Sequence, residues 1–117
     1  MSLAALIAVA VVAAFHVWFL VLEMFLWQKP FGLRTFGQSA EQAAATAVLA
    51  KNQGLYNGFL AAGLIFGLQR VDAGVELFFL GCVVVAGVYG AATAARTILF
   101  VQALPGAIAA ALVWLAR

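Results

Sequence analysis

The segment from Leu3 to Trp27, LAALIAVAVVAAFHVWFLVLEMFLW, is 25 residues of almost unbroken apolar side chain. A helix needs about 20 such residues to cross a hydrocarbon layer of about 30 Å. The segment therefore predicts a transmembrane helix, tilted because it is longer than the layer requires. A secretory signal has an apolar core of only about 7–15 residues behind a positive charge, and no cation precedes this one. It is read as a retained span.

The remainder of the 117 residues has the same character. Hydrophobic residues make up 68% and charged residues 9%, where a soluble domain carries about 25% charged residues. Mean hydropathy is +1.15. A small soluble fold buries too little of its surface to hide that much apolar area. A soluble enzyme, a nucleic-acid binder and a disordered segment are excluded on this ground. Six basic and four acidic side chains leave a net charge of +2, too few charges to name a partner. The single cysteine, Cys82, allows no intrachain disulfide and reads as a small buried hydrophobe.

Working outward from the first span, QKPFGLRTFG (Gln28 to Gly37) carries two cations, one proline and two glycines, and is expected to be a loop. Ser39 with Gln42 three residues on forms a capping box that starts the next helix, and Glu41 suits the positive end of its dipole. Helix-compatible residues then continue to Gln69, about 45 Å at 1.5 Å per residue. That exceeds the bilayer, so the embedded part is taken as Leu49 to Leu68. RVDAG (Arg70 to Gly74) is a short polar hairpin, and Val75 to Ala95 a third span with Glu76 on its favourable dipole end. A fourth span, Ile98 to Leu115, contains Pro105, which either kinks it or marks its first turn.

The expected fold is thus all-α: one domain over residues 1–117, an antiparallel bundle of four transmembrane helices near residues 3–27, 40–69, 75–95 and 98–115, with both termini on one side. Small residues four apart (Gly54/Gly58, Gly63/Gly67, Ala86/Gly90 and Gly106/Ala110) suit close helix packing. Lys29, Arg34 and Arg96 against Arg70 and Arg117 favour a cytoplasmic first loop. Trp27 and Trp114 suit the membrane interface.

Ionisable and amide side chains inside such spans are costly, and each is a functional candidate. His16 and Glu23 lie seven residues apart, two turns along one helix face with about 20° of drift. Gln53 and Asn57 lie one turn apart. Because successive helices alternate direction, Glu23, Asn52, Gln53, Gln102 and Arg96 fall at a similar depth, and are expected to converge in a polar pocket with His16 and Asn57 as its floor. Competing readings stand beside this one. Glu23 can pair with Lys51 or Arg96 as a structural ion pair; the amides can be interhelical hydrogen-bond glue; His16 can be a neutral imidazole on a backbone carbonyl. His16 lacks the company a metal ligand needs, and no metal or cofactor is expected. No nucleophile triad or phosphate-cradling loop is present.

The stretches HVWFLVLEMFLWQKP (His16 to Pro30), Phe36-Gly37, NQGLYNGFLAAGL (Asn52 to Leu64) and Gln102 to Pro105 resemble a bacterial family of small integral membrane proteins, the domain of unknown function numbered 1304. The likeness covers nearly the whole chain, and NQGLYNGF is its most specific run. It implies a four-helix protein of the bacterial plasma (inner) membrane and picks out His16, Glu23, Asn52, Gln53, Asn57 and Gln102 among the polar residues above. It implies no established activity.

Two functions of different class follow. The first is binding or transport of a small polar or amphiphilic ligand in the polar pocket, with Glu23 reading its charge. In length and helix count the chain is similar to the small multidrug-resistance transporters, which are dimers, although those lack His16 and the NQGLYN run; a homodimer is therefore one open arrangement. The second is a membrane-embedded acid–base enzyme of isomerase or epimerase type, in which His16 or Glu23 moves a proton on a lipid-like substrate. A structural bundle without ligand is the third possibility. Membrane lipid is the expected surrounding partner, and nucleic acid is not.

Overall fold

The computed structural model describes all 117 residues and is wholly helical. Five α-helices follow in order: α1 (Leu3–Met24), α2 (Pro30–Phe36), α3 (Ala40–Arg70), α4 (Ala73–Thr93) and α5 (Leu104–Ala116), with a π-helical turn, Leu99–Ala103, leading into α5. By length and composition, three helical segments can cross a membrane: Leu3–Met24, Ala73–Thr93 and Leu99–Ala116. The long α3 is not among them, because Lys51, Asn52, Gln53 and Asn57 interrupt its apolar stretch.

The helix boundaries have local causes. The first helix stops at Met24, not Trp27. The Val21 carbonyl accepts both the Phe25 and Leu26 amides, and the Leu26 carbonyl then accepts the Lys29 amide. Lys29 is extended, at φ −81° and ψ 158°, as a residue before proline prefers to be. Where a loop was expected, Pro30 starts a seven-residue helix. Its ring presets φ, and the amide it lacks would have had no partner in a first turn. Gly37 closes α2 in the left-handed region at φ 62°, a conformation glycine adopts without steric cost. The capping box at α3 forms as expected: the Ser39 amide donates to Gln42 Oε1 at 3.0 Å, and the Gln42 amide donates to Ser39 Oγ at 3.1 Å. Asp72 caps α4, its carboxylate accepting the Val75 amide at 3.1 Å, so that α4 begins two residues earlier than the hairpin reading placed it. Pro105 lies in the first turn of α5. The π-turn before it widens the helix, and the Leu104 amide donates five residues back to the Leu99 carbonyl.

The chain forms two compact units. One comprises Met1–Phe15 and Leu60–Arg117, the other His16–Phe59. The core of the first is Ala5, Val9, Val12 and Ala13 of α1, Leu64 of α3, Leu80 and Val83 of α4, and Ala109 and Val113 of α5. Within it Gly63 lies against the Phe79 ring, Gly90 against Ile98 and Gly106 against Val83. In the second unit Gly54 faces Met24 and Glu23, Gly58 faces Leu20, and Gly32 lies on the Leu26 carbonyl. The glycines expected to bring helices together do so. The outward faces carry bulkier residues than the core. On α4 the buried positions are Glu76, Leu80, Val83 and Gly87, while Phe78, Val85, Val88 and Tyr89 point outward. Helices apolar all round suit an apolar surrounding phase rather than water.

Candidate functional site

The site is built in the unit His16–Phe59, where α1 and α3 pack closely. A Cβ on Gly54 would stand 2.5 Å from Met24 Cγ, 3.2 Å from Glu23 Cβ and 3.3 Å from the Leu20 carbonyl. The missing side chain brings the last turn of α1 onto α3, and one turn further along α3 Asn57 reaches Glu23. The Asn57 Nδ2 amide donates to Glu23 Oε1. Asn57 is 5% exposed and Glu23 half-buried. In an apolar setting a hydrogen bond to a carboxyl is worth more than in water, and losing it leaves a buried polar group unpaired.

Of the residues singled out from the sequence, Glu23 and Asn57 are brought together. Glu23 takes its hydrogen bond from Asn57 rather than from Lys51. Asn52 and Gln53 lie at exposed positions of α3, and neither hydrogen-bonds Glu23. His16 is fully buried two turns before Glu23 on α1, its ring edge-on to Phe19 at 5.2 Å. In the other unit, Gln102 is half-buried in the π-helical turn and Arg96 is exposed beyond the end of α4. No group of three or more His, Cys, Asp or Glu is placed to hold a metal ion.

Beyond the end of α1 the turn is pinned to α3. The Trp27 indole N–H is shared between the Ala43 carbonyl at 3.1 Å and Thr46 Oγ1 at 3.2 Å, and the Trp27 ring packs on Phe36, centroids 4.9 Å apart. The Thr46 hydroxyl in turn donates to the Gln42 carbonyl at 2.9 Å. Trp27, expected only as an interface anchor, also fixes the shape of this corner. Beside it a cleft of about 350 Å³ has Met24, Phe25, Gln28, Lys29 and Lys51 among its lining residues.

Glu76, which the sequence places as an acid favouring the start of its helix, is not marked by the sequence as a candidate site residue. Glu76 is fully buried, and neither carboxyl oxygen has a hydrogen-bond partner. The carboxyl lies in the space left by Gly67, where a Cβ would collide with it. The only signal in the sequence was an acid next to an apolar run, which is equally the mark of a solvated first turn. A buried carboxyl without a partner lowers stability. Glu76→Met, of similar length and without the polar atoms, is accordingly expected to stabilise the protein by about 1–3 kcal/mol. Thermal unfolding in detergent checks this; a variant less stable than wild type would mean that the carboxyl makes a favourable interaction.

A family model described as a protein of unknown function (DUF1304) matches residues 10–114. The chain is 28% identical to the uncharacterized protein YpaA of Lactococcus lactis subsp. lactis (strain IL1403) over 106 residues, 87% of this chain and 89% of that protein. No solved structure matches the chain.

Proposed function

The chain belongs to the DUF1304 family of proteins of unknown function, and on that premise we propose that it is a small integral protein of the bacterial plasma membrane that binds or transports a small polar or amphiphilic ligand at a polar site around Glu23. In this reading it crosses the bilayer four times as an antiparallel bundle with both termini on one side. Residues 49–68 of α3 supply the crossing that is less apolar than the other three. That stretch is less apolar because it carries the polar half of the site.

The observation that carries the reading is the bond from Asn57 to Glu23. A carboxyl within an apolar span is costly, and such a residue is a functional-site hypothesis by default. One Glu23 oxygen is held by a buried amide on a neighbouring helix, which fixes its direction while leaving the second oxygen for a donor on a ligand.

The test is native mass spectrometry of the protein purified in mild detergent, wild type beside Glu23→Gln, with thermal unfolding to show that both are folded. A discrete added mass on wild type alone is expected. The same mass on both proteins, or none on either, would remove Glu23 as the ligand-reading group.

A further inference from the structure

The geometry points to a second binding feature: the cleft beside Trp27 is a receptor for the phosphate group of an anionic amphiphile, held by Lys29 and Lys51. The inference deepens the reading above by giving the ligand a chemical class, and it rests on that reading for the view that this corner of the molecule receives a ligand at all.

Charge is the first support. The lining of the cleft holds two ammonium groups and no carboxylate. The unit His16–Phe59 contains two acids, Glu23 and Glu41; Glu23 accepts from Asn57, Glu41 lies in the first turn of α3, and neither lines the cleft. Two like charges facing one recess repel each other and draw an anion between them. Lysine, a compact point charge with three donors, is a common phosphate binder.

The second support is that the walls are fixed before any ligand arrives. Trp27 is tied by its indole N–H to both Ala43 and Thr46 of α3. Gly32 sits so tightly on the Leu26 carbonyl that no side chain fits there, which sets the path of the turn carrying Gln28 and Lys29. Around the end of α1, Val21 O accepts two amides and Leu26 O, in the turn that follows, accepts one. A receptor shaped in advance loses less on binding than one that must be ordered.

The third support is the mixed character of the lining. Phe25, 64% exposed, and Met24 stand beside the lysines. The cleft lies beyond the end of the apolar α1, at a tryptophan, where aromatic side chains mark the headgroup level of a bilayer. An anion with an apolar tail matches a lining that holds both lysine and phenylalanine, as basic pockets between membrane helices match lipid headgroups.

The test uses the full chain in zwitterionic detergent and three probes followed by native mass spectrometry: dioctanoyl phosphatidylglycerol, dioctanoylglycerol and inorganic phosphate. Lys29→Gln and Lys51→Gln are compared singly and together with wild type. Arg70→Gln/Arg117→Gln removes the same charge elsewhere. Both lysines are exposed, so the variants are expected to fold, and thermal unfolding checks that they do. Affinity for phosphatidylglycerol is expected to fall about tenfold or more with each lysine removed, to hold in the arginine control, and to exceed that for dioctanoylglycerol. Inorganic phosphate that displaces the lipid assigns the cleft to soluble phosphate; lipid that resists it assigns the cleft to the headgroup. The second outcome supports the proposal; the first keeps a phosphate site and overturns its amphiphilic ligand. Equal losses in the arginine control, or unchanged binding in the double lysine variant, would overturn the proposal. Lysine-dependent binding that persists in Glu23→Gln keeps the cleft and removes the Glu23 reading, so the two fail separately.

Discussion

Gly87→Leu is expected to cost about 2–3 kcal/mol, the upper part of the range for overpacking a filled core. A Cβ alone at Gly87 would stand 2.6 Å from the Ala103 nitrogen and 2.9 Å from its Cα and Cβ. Two of those three atoms are backbone, so no rotamer change relieves the contact, and α4 must move away from the π-helical turn. That shift would open the core of the same unit around Leu80, Val83 and Ala109. Gly81, on the same helix, has nothing within 4 Å of its Cβ direction, and Gly81→Leu is the control. Thermal unfolding in detergent should put Gly87→Leu about 10 °C below wild type and Gly81→Leu within about 2 °C of it. Coincident midpoints for the two variants would remove the close approach.

Asn57→Leu is expected to lower stability by about 1–3 kcal/mol, because it leaves the Glu23 carboxyl without its donor in a half-apolar site. The double substitution Glu23→Leu/Asn57→Leu should recover most of that loss, since removing both members of a polar pair in an apolar setting is close to neutral. The coupling energy from the four proteins is then at least as large as the Asn57→Leu loss itself, about 1 kcal/mol or more. A double variant as unstable as the sum of the two single ones would show that the residues do not act on each other. Glu23→Leu alone leaves Asn57, 5% exposed, with an unmet donor, and should fall between wild type and Asn57→Leu, because a neutral amide costs less to strand than a carboxylate.

Features that depend on neighbours along the chain were legible beforehand. The apolar run of α1, the capping box at Ser39 and Gln42, and the glycines of the helix contacts are all local signals, and each has its counterpart in the structure. Pro30 starts a helix where a loop is expected, because a proline beside glycines marks a turn as readily as a first helical turn. Asn57 was named from the sequence, but so were Asn52 and Gln53. Spacing says which side chains share a face of one helix, not how that helix is rotated toward the next. Gln53 and Asn57 are four residues apart, yet one is exposed and the other buried, because the contact turns on Gly54 and Gly58 meeting Leu20 and Met24. Glu76 shows the same limit from the other side: nothing in its own surroundings along the chain separates a solvated first-turn acid from one buried against Gly67.

Composition and local pattern suffice to make this protein helical throughout, with several helices long and apolar enough for a membrane and polar groups inside them few enough to be candidates one by one. These follow from composition and from periodicities within a few turns of chain. The meeting of Glu23 with Asn57, the enclosure of Glu76 without a partner and the sharing of one cleft by Lys29 and Lys51 arise from packing between helices. Each depends on the rotation and approach of separate helices, set by where side chains are missing as much as by where they are present.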